Sequence, residues 1–193
     1  MAETDNLRWS DDEARRIVRE TYGAVVPANT RVAESLYTAD ELALVPRPAA
    51  EMALGLGNPV RCAELRRGET VLDMGSGGGI DTLLAARQVG PSGRAIGLDM
   101  TPAMIEKARE NARAAGAANV EFLEGRMEEI PLPDGAVDVA MTNGVINLIT
   151  SKGKLFREIF RVLRPGGRLV FADSVIDGTL PKEVLESEAA YAG

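Results

Sequence analysis

The sequence contains no histidine and a single cysteine, Cys62, in 193 residues. Without histidine, the commonest general base and the commonest zinc ligand are both missing. Ser-His-Asp and Cys-His nucleophilic schemes are therefore excluded, and a structural zinc site nearly so. One cysteine cannot close an intrachain disulfide. Long apolar runs are also missing. No stretch approaches the roughly 18 residues that a membrane span needs. The N-terminus, MAETDNLRWSDDE, is acidic and has no apolar centre, so it does not read as a signal peptide. Basic charge is short as well. The net charge is −7 and the pI about 4.8, the opposite of the phosphate-neutralising face that nonspecific nucleic-acid binding needs. These absences describe a soluble, cytoplasmic protein with neither nucleic acid nor membrane among its partners.

What is present has the pattern of one α/β domain. SDDEARRIVRETY (10–22) opens with Ser10 and, three residues on, Glu13, a capping-box pair, and Gly23 ends the helix. TADELALV (38–45) is a short helix candidate. NPVRCAELR (58–66) is another, with Asn58 as N-cap and Pro59 at the first helical position. From residue 69 apolar strands and helices alternate. The strands are ETVLDM, GRAIGLDM, VEFLEG, AVDVAMTN and RLVFADS. The helices are IDTLLAARQV, TPAMIEKARENARAAG (Thr101 as cap, Pro102 opening it, Gly116 closing it) and KGKLFREIFRVLRPGG, ended by Pro-Gly-Gly. Such alternation predicts a mostly parallel sheet covered by helices. The boundary is expected near residue 58, with a helical N-terminal cap over 1–58 and a ligand-binding domain over 59–193. The charged stretches RRIVRE and EKARENARAAG read as solvated helix faces. On the 59–66 helix Cys62 reads as a small buried apolar residue.

The chemistry concentrates in Asp73-Met-Gly-Ser-Gly-Gly-Gly79, between the first regular strand and the following helix. Gly75 and Gly77 allow the main chain to approach a ligand closely, at the carboxyl end of a strand where open α/β sheets bind. Asp99 ends the next strand, where a carboxylate can accept both hydroxyls of a ribose. NAD is disfavoured, because aligning Gly75 and Gly77 with G-x-G-x-x-G puts Ile80 in the third glycine position. No Gly-Lys-Ser/Thr follows, which removes a P-loop. An acidic residue two before the first glycine, Asp73, suits a cation better than a pyrophosphate. S-adenosylmethionine (SAM) has that character, with an ammonium, a sulfonium, a ribose and no phosphate.

These residues resemble class I SAM-dependent methyltransferases: LDMGSGGG the first motif, GLDMT the ribose-binding end of strand two, and VLRPGGRLVFAD the turn before strand five. The closer resemblance is to arsenite methyltransferases. It is carried by LGLGNPV, GETVLDMGSGGGIDTLLAARQVGPSGRAIGLDMTPAMIEKAR, NVEFLEGRMEEIPLPDGAVDVAMTNGVINL and LFREIFRVLRPGGRLVFADSVIDGTLPKEV. The resemblance implies a three-layer Rossmann-like methyltransferase fold. It implies that Gly75, Ser76 and Gly77 line the methionine and ribose of SAM, that Asp99 takes the ribose hydroxyls, and that Met100 lies against the adenine. Arg126 and Met127 would flank the adenine edge, and Asn143 would sit near the sulfonium and the substrate. Met104 and Met141 read as core or adenine-side packing.

The chain also departs from that family. Its members hold trivalent arsenic with several thiolates, and a soft centre needs two or three at once. Here Leu56 occupies one thiol position, Gly144 replaces another cysteine, and AVVPANTRVAES after Tyr22-Gly23 has none. The family sheet has seven strands and five are legible, so the chain reads as a shortened relative or a fragment. The exposed edge would need cover, which a homodimer would supply. Tyr22 is a candidate base or a packed helix end, and Asn147 a substrate contact or a turn cap. Three functions stay open: a small-molecule methyltransferase without thiol chemistry, an arsenite methyltransferase using external thiols, and a protein that processes or senses SAM without a separate acceptor.

Overall fold

The structure, a computed structural model, describes residues 9–179 and 181–192. The N-terminal part holds α1 (Asp11–Gly23), α2 (Arg31–Leu36), α3 (Ala39–Leu42), α4 (Arg47–Glu51) and α5 (Pro59–Cys62). Both capping boxes form. Ser10 Oγ accepts the Glu13 N–H and Thr38 Oγ1 accepts the Glu41 N–H, each glutamate reaching back to its cap. Asn58 caps α5 through the Arg61 N–H, at 3.0 Å. That helix stops at Cys62, not at 66, and Glu64 follows with φ +47°. Cys62 is exposed, against the expectation of a buried position. The shortened helix turns the next residue, Ala63, into the core instead.

Five strands follow: β1 (Thr70–Met74), β2 (Arg94–Asp99), β3 (Val120–Glu124), β4 (Val137–Asn143) and β5 (Leu163–Ala172). Between and after them run α6 (Ile80–Val89), α7 (Pro102–Ala114), α8 (Lys152–Val162), α9 (Lys182–Leu185) and α10 (Glu188–Ala192). The sheet order is β3-β2-β1-β4-β5, and every pairing is parallel. Strand alternation builds the layers. Val71, Val139 and Met141 face α6 and α7, packing with Leu83, Leu84 and Ile105. Leu72, Met74 and Ala140 face the other side, where α8 contributes Leu155, Ile159 and Val162.

Two local expectations are corrected. The helix KGKLFREIFRV ends at Val162, and Leu163 already pairs with Val137. Pairing resumes only at Val139 with Arg168, so Arg164–Gly167 forms a bulge within the strand. Pro165 has no N–H to give the ladder, and the two glycines let it return. Thr101 does not cap α7 with its side chain. Asp99 Oδ1 accepts the Thr101 N–H instead, at 2.9 Å. Beyond β5 the sheet has an open edge among the described residues, and Phe156, Phe160 and Phe171 are exposed on α8 and β5. Among the described residues no helix is long and apolar enough to cross a membrane.

The order also fixes where a ligand can enter. From β1 the chain builds outward to β3, then returns to place β4 on the other side of β1. The carboxyl ends of β1 and β4 therefore flank the topological switch point, the position at which open α/β sheets form a crevice.

Candidate active site

A cavity occupies that crevice. Its floor is the glycine turn after β1, and its sides are the ends of β2 and β4. The roof is α1, which contributes Asp11, Ala14, Arg15, Val18 and Tyr22. Alanine at 14 lets the helix lie close, and that residue is buried. Asp11 accepts Ser151 Oγ at 3.2 Å and Thr150 Oγ1, and Tyr22 donates to the Ala192 carbonyl at 2.9 Å. The roof is thus tied to both the β4–α8 connection and α10.

The glycine turn bends as its residues require. Gly77 has φ +50°, and a Cβ there would meet nothing within 4 Å, so the turn leaves open space above its main chain. Its N–H donates to Asp99 Oδ2 at 2.9 Å. Asp99 therefore braces the turn and the start of α7 together. Burial pushes its carboxyl up, opposed by the Thr101 and Gly77 N–H groups. Ser76 is buried beside it, and among the described residues its hydroxyl has no hydrogen-bond partner.

Deeper lies a cluster that no sequence motif announced. Asp81, in the first turn of α6, is 5% exposed. Its Oδ1 accepts the Tyr37 hydroxyl at 2.8 Å, and its Oδ2 accepts Asn143 Nδ2 at 3.0 Å. Burial pushes it up to about 6, against the pull of those two donors. Asp73 accepts Thr82 Oγ1 at 2.6 Å, and burial and the neighbouring Asp81 hold it well above the usual carboxylate range. The Tyr37 hydroxyl is raised by burial and by Asp81. Asn143 Oδ1 accepts the Leu56 and Gly57 N–H groups at 2.8 and 3.1 Å.

Ten of the twelve residues named from sequence line this cavity: Tyr22, Asp73, Gly75, Ser76, Gly77, Asp99, Met100, Arg126, Met127 and Asn143. Leu56 and Asn147 do not. Leu56 points outward and is 53% exposed, because Asn143 grips its N–H and turns its side chain over Gly144. Asn147 is exposed on a 3-10 turn (Ile146–Leu148), its N–H directed at Asp173. Of the methionines, Met104 lines the cavity and Met141 is core. Sequence reasoning missed Tyr37, Asp81, Glu128 and Arg15. One signal existed for Asp81: it is the only acidic residue in IDTLLAARQV. Arg15 holds Asp11 at 3.2 Å and Glu128 at 3.6 Å.

Comparison with known proteins identifies the family. Residues 65–193 match a family model described as a methyltransferase domain. The chain belongs to that methyltransferase-domain family, which uses SAM. It is 48% identical over 148 residues to an arsenite methyltransferase of Halobacterium salinarum, covering 77% of this chain and 38% of the relative. It is 38% identical over 112 residues to the ubiquinone/menaquinone biosynthesis C-methyltransferase UbiE of Salmonella arizonae, covering 58% and 45%. Among solved structures it resembles CrArsM, an arsenic(III) S-adenosylmethionine methyltransferase from Chlamydomonas reinhardtii. There the TM-score is 0.68 and the identity 36%, with 81% of this chain and 53% of that one covered. The chain thus spans about two fifths of the length of these curated relatives.

Proposed function

We propose that this chain is a SAM-dependent methyltransferase acting on a small molecule, without the thiolate chemistry of its arsenite-methylating relatives. The observation that carries the reading is the charge of the cavity. It presents Asp11, Asp73, Asp81, Asp99 and Glu128 against two arginines, and both arginines already hold carboxylates, Arg15 those of Asp11 and Glu128 and Arg126 that of Glu129. An excess of buried carboxylate calls for a cation. SAM brings two positive centres and no phosphate. The residues present fit it: Asp99 keeps lone pairs free for a ribose diol, the Gly77 turn leaves room, and Met100, Met104 and Met127 give an apolar wall for a base.

When bound, SAM supplies an electrophilic methyl group. The chain's own part is to align the acceptor, exclude water and take up any proton released. Alignment alone can supply about 7–11 kcal/mol. The α1 roof excludes water. Ala14, Val18, Leu54, Val145, Leu148 and Ile149 give the remaining wall an apolar character suited to an organic acceptor. Among the described residues no thiol faces the cavity, since Cys62 lies elsewhere and is exposed. That weighs against arsenic as the acceptor.

We also read the open β5 edge, with its three exposed phenylalanines, as the contact of a homodimer. Calorimetry with S-adenosylhomocysteine tests the cofactor reading, and a screen of organic acceptors with methyl-labelled SAM tests the activity. Absence of binding to the pure protein refutes the former. Label transfer to arsenite alone, with organic acceptors left unlabelled, refutes the latter.

A further inference from the structure

A carboxylate in the first turn of a helix buried along most of its length is the least expected group in this cavity. Asp81 has four acceptor positions and uses two, for Tyr37 and Asn143. Neither partner is charged, and no ion pair reaches Asp81 among the described residues. The charged groups that bear on it, Glu41 from α3 and Asp73 from β1, are acidic too. Each carboxyl is buried, Asp81 opposes the ionisation of Asp73, and among the described residues no cationic side chain pairs with either.

Its orientation is fixed from both sides. Asn143 Nδ2 also donates to the Gly57 carbonyl at 2.8 Å, and a Cβ on Gly55 would fall 2.2 Å from that nitrogen. The 55–57 strap therefore rests on the amide, and the amide cannot swing away from Asp81. An immobile, uncompensated carboxylate at the cavity floor is a preorganised receptor for a hydrogen-bonding cation. A sulfonium has no N–H to offer, whereas an ammonium has three.

We propose that Asp81 receives the α-ammonium group of SAM and so fixes the methionine end of the ligand. The inference rests on the cofactor reading above. In calorimetry, Asp81→Asn weakens S-adenosylhomocysteine about 10- to 100-fold, the span of a hydrogen bond to a charged group. The same variant leaves 5′-methylthioadenosine, which lacks the amino-acid end, within twofold of wild type. The deaminated 2-oxo analogue of S-adenosylhomocysteine binds wild type and variant alike. Equal weakening of all three ligands would overturn the proposal, because the residue would then only be shaping the pocket. Unchanged S-adenosylhomocysteine affinity would overturn it as well. A wild-type protein that binds none of the three would remove the cofactor reading itself. Unfolding curves of the variant confirm that a folded protein is being titrated, and Tyr37→Phe, which keeps the carboxylate and removes one of its two holders, weakens S-adenosylhomocysteine more than 5′-methylthioadenosine.

Discussion

Asp81→Asn should change the pH dependence of folding in a way that few surface substitutions can. In the folded protein burial pushes the carboxyl from 3.8 to about 6, with only the Tyr37 and Asn143 donors offsetting it. Each unit corresponds to 1.36 kcal/mol, so ionised Asp81 costs the native state about 3 kcal/mol. The sign follows from proton counts. Between about pH 4 and 6 the native state binds the proton that the unfolded chain has released, so this residue's share of stability falls as pH rises through the window. Asparagine has no such slope. Its Oδ1 can accept Asn143 Nδ2 while its N–H donates to the Tyr37 hydroxyl oxygen, the same arrangement that a protonated Asp81 adopts. The two proteins are therefore close in stability near pH 4. At pH 8 the balance has shifted in the variant's favour by about 3 kcal/mol. Carboxylates common to both proteins, such as Glu69 and Glu158, cancel in the difference. Removing the Asp81 charge also lets Asp73 ionise more easily, which adds to the shift in the same direction. Urea unfolding of both proteins from pH 4 to 8 measures it. A difference in unfolding free energy that stays flat across that range would refute the reasoning, since the carboxylate would then not be destabilised by its burial.

Other substitutions test separate parts. Arg168→Ala leaves Glu69, which is 7% exposed, without a guanidinium that now bonds both of its oxygens at 2.7 and 2.8 Å; denaturation should show a loss of about 3 kcal/mol. Because Arg168 holds the Glu69 carboxyl below its ordinary value, wild type loses that contribution as pH falls below about 4.5, and the gap between the two proteins should close there. Asp99→Ala frees the Gly77 and Thr101 N–H groups together and should abolish measurable S-adenosylhomocysteine binding by calorimetry. Leu56→Ala, on an outward-facing side chain, should leave that affinity and the unfolding midpoint unchanged. Phe160→Glu, at a side chain 83% exposed, should turn a dimer into a monomer in light scattering without altering circular dichroism.

The fold was legible where the signal is local. Strand and helix periods, Asn58 before Pro59, and the Ser10–Glu13 spacing all express chemistry within one turn of chain, and the structure realises each of them. The failures lie where a distant partner decides. Whether the backbone through Leu163–Gly167 ends a helix or bulges a strand depends on β4, whose Val137 captures Leu163. Cys62 is exposed because α5 stops early and turns Ala63 into the core, a choice made by packing against β4 and β5 rather than by the helix's own residues. The short helices α2 and α4 lack sharp caps, and nothing in their composition separates them from a loop.

The site divides along the same line. The glycine turn and Asp99 could be read because a ligand's main-chain approach and a strand-end carboxylate leave fixed marks at a fixed spacing. Asp81 could not, because its meaning comes from Tyr37, 44 residues earlier, and Asn143, 62 residues later. Asn143 belongs to the site by its position at the end of β4, and the structure shows that its amide also joins the 55–57 strap to the α6 carboxylate. The same strap turns Leu56 away from the cavity. A change of side chain at Leu56 can therefore leave the cavity wall as it is, while the Asn143 amide that holds the strap also holds the α6 carboxylate.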